Sequence, residues 1–172
     1  MLNLEILDAK KHPLKDQEIL KIVEIEHHPE VEKWLYEYEK QDFKEEFDGY
    51  IDFFKDLPRN NKVDAIIAKL DENIIGFLCI WRRGVHKEHV ASIGISVHPD
   101  YWGKGVATQL IKFGIKLSKT KGLKRLEIET LSNNVGMRRV AERLGFKLES
   151  VREKRVQKNG SYFDEVLYFM LL

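Results

Sequence analysis

Residues 97–108, Val97-His98-Pro99-Asp100-Tyr101-Trp102-Gly103-Lys104-Gly105-Val106-Ala107-Thr108, read as a strand that stops at a proline, a glycine-containing loop, and the start of a long amphipathic helix. A strand-to-helix junction of this kind leaves the first backbone N–H groups of the helix without partners, at the positive end of its dipole. A phosphate suits that position. Gly103 and Gly105 let the backbone approach a ligand without interference from a Cβ. The same loop can also be a plain connection, so the rest of the chain has to decide.

Outward from the loop, two strands are joined through a helix. Val90–Val97 precedes the loop. The following helix carries Val106, Leu110, Phe113 and Leu117 on one side and ends near Gly122, and Leu126–Leu131 is the next strand. Strands connected in this way are parallel, and ligands in open sheets bind beyond the C-terminal ends of such strands. The remaining strands read as antiparallel. Val63–Leu70 and Ile74–Trp81 flank a turn at Asp71-Glu72-Asn73, and two final strands meet at Asn159-Gly160, a strong hairpin signal. Asn134–Leu144 is a short helix closed by Gly145.

Ahead of this core, alternation of Leu2, Leu4 and Ile6 predicts a first strand. Helices are predicted from Asp16 and from Pro29, the latter placing Val31, Trp34, Leu35 and Tyr38 on one face. A third runs from Asp42, a capping residue with Glu45 three positions on, to a stop at Pro58. Its Phe43, Phe47, Tyr50 and Phe54 form an aromatic stripe that reads as core. The fold class is therefore α/β, with a mixed, mostly antiparallel sheet and one domain over residues 1–172.

Composition narrows the function classes. The chain has 172 residues, 43% hydrophobic and 33% charged, as expected for a globular protein. No apolar run reaches the roughly 20 residues of a membrane helix, and the N-terminus lacks a signal-peptide layout. Cys79 is the single cysteine, which excludes an internal disulfide and a cysteine-based metal site. A cytoplasmic protein without a metal is expected, and the adjacent His27 and His28 are read as non-ligands. The net charge of +1 conceals 9 basic against 16 acidic residues in 1–60 and a basic remainder. Basic residues interleaved with Glu142, Glu149 and Glu153 argue against nucleic acid.

With these blocks in order, the chain resembles the GNAT acyltransferases, N-acetyltransferases that use acetyl-CoA. Trp102-Gly103-Lys104-Gly105-Val106-Ala107 is similar to the family's glycine motif, with Trp102 where Gln or Arg is usual, as in the branch of ribosomal-protein N-terminal and polyamine acetyltransferases. Asn134-Val135-Gly136-Met137 followed by Leu144-Gly145-Phe146, and the late Gly160–Leu167 segment, resemble two further family blocks. The resemblance implies a central sheet whose one parallel strand pair splays, with helices on both faces. It also implies that backbone amides of Gly103, Lys104, Gly105, Val106, Ala107 and Thr108 hold the CoA pyrophosphate. Backbone groups of Ile95 and Val97 would pair with the pantetheine amides, and Lys104, Arg138 and Arg139 would supply cations. Asn134 reads both as a pantetheine partner and as the cap of its helix.

For the chemistry, the resemblance puts a general base at Glu129, within Ile128-Glu129-Thr130. Period two places Glu127 on the same face, so local geometry does not choose between them. Ser92 stands where other relatives carry an acid, Ala141 where many carry a thiolate-protonating tyrosine, and Met137 where some carry a serine; Tyr162 is a stand-in for the missing acid. The expected activity is acetyl transfer from acetyl-CoA to a primary amine in a ternary complex. The acceptor is a protein N-terminus, a polyamine or another small amine, bordered by residues such as His27, Glu30, Trp34 and Tyr36, and the protein is a monomer or homodimer. The alternative is a CoA-binding sensor that has lost catalysis.

Overall fold

The computed structural model describes residues 2–36 and 41–172. Among the described residues seven strands form one sheet: β1 (Glu5–Asp8), β2 (Val63–Leu70), β3 (Asn73–Arg82), β4 (Val90–Val97), β5 (Arg125–Leu131), β6 (Lys147–Lys158) and β7 (Ser161–Leu171). Their order across the sheet is β1-β2-β3-β4-β5-β7-β6. Every neighbouring pair is antiparallel except β4 and β5, which are parallel. Helices α1 (Asp16–Glu26), α2 (Pro29–Glu32) and α3 (Phe43–Asp56) precede β2, while α4 (Val106–Thr120) and α5 (Val135–Arg143) follow β4 and β5.

Alternation along the strands divides the core in two. On one face Ile66, Leu78, Ile80, Ala91, Ile93, Leu126, Ile128 and Tyr168 pack with Val106, Leu110 and Ile111 of α4 and with Ala141 of α5. On the other face Val63, Ala65, Ile67, Phe77 and Cys79 pack with Ile19, Ile22 and Ile25 of α1 and with Phe54 of α3. Gly76 sets the depth of α4. A Cβ there would lie 3.0 Å from Leu110 Cδ1 and 3.2 Å from Val106 Cγ1, so the missing side chain admits the first turn of the helix onto β3.

Two sequence expectations shift. The first strand is Glu5–Asp8 rather than the stretch around Leu2–Ile6, because its pairing with Ile66–Lys69 of β2 begins at Glu5. The helix at Pro29 spans only four residues, to Glu32. Of the apolar face predicted for it, Tyr38 lies outside the described residues. The hairpin at Asn159-Gly160 has positive φ at both residues, 50° and 76°, as a two-residue turn matched to strand twist requires. Among the described residues no helix is long and apolar enough to cross a membrane.

Candidate active site

Strands β4 and β5 stay together for three residue pairs only, Val90↔Arg125, Ala91↔Leu126 and Ser92↔Glu127. Beyond them the strands separate. His98 N donates to Ile75 O and Arg83 N to Val90 O, both at 2.9 Å, so the even-numbered residues of β4 point their backbone groups at β3. The antiparallel alternation then aims the backbone groups of Ile93, Ile95 and Val97 toward the gap. Trp102 Nε1 donates to Val97 O at 2.7 Å, which fixes the following loop against the end of β4.

That loop meets α4 at Gly105, whose φ of 85° is left-handed; Gly103 has φ 72°. No side chain caps the helix, and the first amide after the loop to bond back is Gln109 N, to Gly105 O at 3.0 Å. Among the described residues the amides of Gly103, Gly105, Val106, Ala107 and Thr108 are therefore left for an outside acceptor, whereas the Lys104 amide, expected to join them, donates to Tyr101 O at 3.3 Å because the loop turns back there. A Cβ at either glycine would meet nothing within 4 Å, so the cradle is open. Lys104 Nζ lies 5.4 Å from the centre of the Tyr101 ring, beside the loop. The residues present fit a pyrophosphate at the helix start and an extended amide-bearing chain in the gap.

Asn134 caps α5. Its Oδ1 accepts from Met137 N and its Nδ2 donates to Thr130 Oγ1, both at 3.2 Å. Arg138 is occupied by Tyr168 Oη (3.2 Å) and Ser132 O (2.9 Å). Ala141 is fully buried, whereas Tyr162 is 61% exposed on the β6–β7 hairpin.

The sheet face opposite α4 carries the reactive side chains. Register places Ser92, Gly94 and Ser96 of β4, Glu127 and Glu129 of β5, and Glu165 and Leu167 of β7 on this face. A Cβ at Gly94 would meet nothing within 4 Å, so the floor beside the gap is open. Ser92 Oγ is shielded from solvent and has no hydrogen-bond partner among the described residues. Glu129 Oε1 accepts from Arg83 Nη2 at 3.2 Å and from Arg152 Nη1 at 3.4 Å. Glu127 shares Arg83, at 3.2 Å, and also accepts from Arg125 Nε at 2.8 Å. Glu165 accepts from Arg152 Nη1 at 2.6 Å and from Tyr36 Oη at 3.1 Å. Thus Glu127 and Glu129 do share a face, as period two required, and both answer to one arginine.

Glu26 is a second carboxyl that sequence reasoning passed over. It sits 6% exposed at the end of α1. Ser96 Oγ donates to its Oε1 at 3.0 Å and Tyr50 Oη to its Oε2 at 2.6 Å. Burial raises it to about 7; the two hydroxyls oppose the rise, and the neighbouring Glu46 reinforces it. Glu46 is in turn bonded to His27 Nε2 at 2.5 Å. The signal was available, since Glu26 continues the buried Ile19, Ile22, Val23 face at helical spacing. Because Glu26 binds its proton more tightly when folded, its contribution is fully present below about pH 4.3, the unfolded value. It is lost as pH rises through about 7. Glu26→Gln is therefore expected to gain stability relative to the parent between pH 5 and 8, on the order of 2 kcal/mol. Parallel denaturant melts across that range check this. Cys79, buried below the same cluster, has its thiol pushed well up by burial and then by Glu26, and is not a nucleophile.

Comparison with known proteins identifies the family. Residues 27–146, more than half of the chain, match the model of the Acetyltransferase (GNAT) family. An uncharacterised N-acetyltransferase of Methanocaldococcus jannaschii is 30% identical over 103 residues, 58% of this chain and 46% of that protein. The L-amino acid N-acetyltransferase of Escherichia coli is 27% identical over 110 residues, 63% of this chain and 67% of that protein. The chain thus matches less than half the length of the first of these relatives. Among solved structures, an acetyltransferase from Salmonella typhimurium with its cofactor acetyl-CoA superposes with a TM-score of 0.79 at 17% identity, over 98% of this chain and 94% of that one. The ribosomal-protein-S5-alanine acetyltransferase of Vibrio fischeri gives 0.81 at 18% identity, over 99% and 94%. The chain belongs to the Acetyltransferase (GNAT) family.

Proposed function

We propose that this protein transfers an acetyl group from acetyl-CoA to a primary amine, by direct attack of the amine within a ternary complex. The observation that carries the reading is the gap between β4 and β5, lined by outward backbone groups of Ile95 and Val97 and leading to the open amides at the start of α4. Acetyl-CoA, when bound, supplies the acetyl group as a thioester. The amides of Gly103, Gly105, Val106, Ala107 and Thr108, with the Lys104 side chain beside them, hold its pyrophosphate. Ile95 and Val97 take its pantetheine as an added strand, and Asn134 completes that wall while capping α5.

Glu129 stands two residues beyond the last β4–β5 pair, on the open face. It receives the proton of the attacking amine, directly or through water, and its charge draws the ammonium in. A thiol with a pKa near 8.5 tolerates protonation of its thiolate by water, so an acid at Ala141 is not required. Glu129→Gln is expected to lower kcat about a hundredfold with little change in KM for acetyl-CoA. A pH–rate profile identical to the parent's removes Glu129 from the role.

The amine is a protein N-terminus, a polyamine or another small amine. Acetyl-CoA consumption across panels of peptides, polyamines and small amines, with each product identified by mass, tests the function. Tight acetyl-CoA binding without turnover of any amine supports the sensor reading instead.

A further inference from the structure

Resting on the acetyl-transfer reading, we propose that the acceptor is an amine with a carboxylate close to its nitrogen, an α-amino acid in chemical class, and that Arg83 and Arg152 read that carboxylate. Both guanidiniums converge on one oxygen, Glu129 Oε1, from opposite sides of β5. Arg83 leaves the end of β3, and Arg152 comes from β6, in register with Glu165 of β7. The other oxygen, Glu129 Oε2, accepts no hydrogen bond among the described residues. Arg83 uses only Nη2 and Arg152 only Nη1 in their bonds to the described residues. One spot on the open face therefore offers an acceptor for an ammonium and unused planar donors for a carboxylate.

The two arginine side chains are 39% and 36% exposed, within reach of a ligand, while that of Glu129 is 19% exposed. Fork-shaped guanidinium donors suit a carboxylate in a way a lysine ammonium does not. The local charge supports the same ligand. Arg83, Arg125, Arg152 and Arg155 are matched by Glu127, Glu129, Glu149 and Glu165. Among the described residues this balanced field of four guanidiniums and four carboxylates suits a zwitterion better than a polyamine, which carries only positive charge. Gly94 leaves the approach beside Glu129 free of side chain.

The test compares kcat/KM for the proteinogenic α-amino acids with that for their α-amides and decarboxylated amines. At least one free amino acid is expected to exceed both of its analogues by about tenfold to a hundredfold. Arg83→Gln and Arg152→Gln are each expected to narrow that ratio about tenfold, through KM for the acid, and Arg152→Lys to restore part of it. Since both arginines also hold glutamates, thermal melts accompany the variants, and if these fail to fold the parent's acid-to-amide ratio decides alone. Amides or parent amines used as well as the acids overturn the inference. So does an equal loss on acid and amide in the glutamine variants, or turnover of polyamines and peptide N-termini without free amino acids. Those results leave acetyl transfer standing, whereas no turnover of any amine removes the underlying reading.

Discussion

Gly105→Asp is expected to lower acetyl-CoA affinity about a thousandfold while leaving the protein folded. The backbone at Gly105 has φ 85°, a left-handed conformation that strains an L residue by about 1–2 kcal/mol, aspartate less than most. Its new Cβ meets nothing within 4 Å, so no neighbour has to move. A carboxylate at the start of α4 is itself favourable to the helix dipole, which offsets the backbone cost. The loss falls on the ligand. Two like charges about 4 Å apart in a partly screened site repel by about 4 kcal/mol, close to a thousandfold in binding. Calorimetric titration with acetyl-CoA beside a thermal melt checks both halves. Gly105→Ala, without the charge, is expected to lose much less affinity. Undiminished binding by Gly105→Asp would move the pyrophosphate away from α4.

Asp64→Ala is expected to destabilise the protein by about 3 kcal/mol, a melting temperature lower by about 10 °C. Asp64 is 1% exposed on β2. Its Oδ1 receives Lys10 Nζ at 2.9 Å and Lys121 Nζ, and its Oδ2 receives Arg82 Nη2 at 3.2 Å. One carboxylate thus joins the segment after β1, the end of β3 and the end of α4. Burial pushes it upward, but hydrogen bonds from Lys121 and Lys10 outweigh burial and hold it below the usual carboxylate range. A lowered carboxylate contributes stability above its unfolded value near 3.9, and that contribution is lost as pH falls through the folded value. Removing it takes the carboxylate from three cations: Lys10 keeps Asn60 O, Arg82 keeps Asn61 O, and Lys121, 30% exposed, relaxes into water most readily. For that reason the expected cost sits at the low end for breaking a buried pair. Denaturant melts at neutral pH measure it, and a change under 1 kcal/mol would show that the cations need no partner.

The β4–loop–α4 unit was legible because its signals are local. A strand period, a proline stop, two glycines and a helical stripe lie within thirty residues, and the Asn159-Gly160 turn likewise announced its hairpin. The first strand and the second helix were read less well, since short elements carry few repeats and their ends depend on pairing partners elsewhere. The charge ladder across the open face was not legible at all. Arg83 and Arg152 look like surface cations in sequence, and only the order β3-β4-β5-β7-β6 brings them to Glu129 from 46 and 23 residues away. The alternation Ser92, Gly94, Ser96 was a readable sign of a bare strand face.

Amide-resolved hydrogen exchange during titration with acetyl-CoA tests the placement of the donor most directly. Protection is expected at Gly103, Gly105, Val106, Ala107 and Thr108, together with Ile95 and Val97 on β4. Saturable binding that leaves these amides exchanging as before, with protection elsewhere, would contradict it.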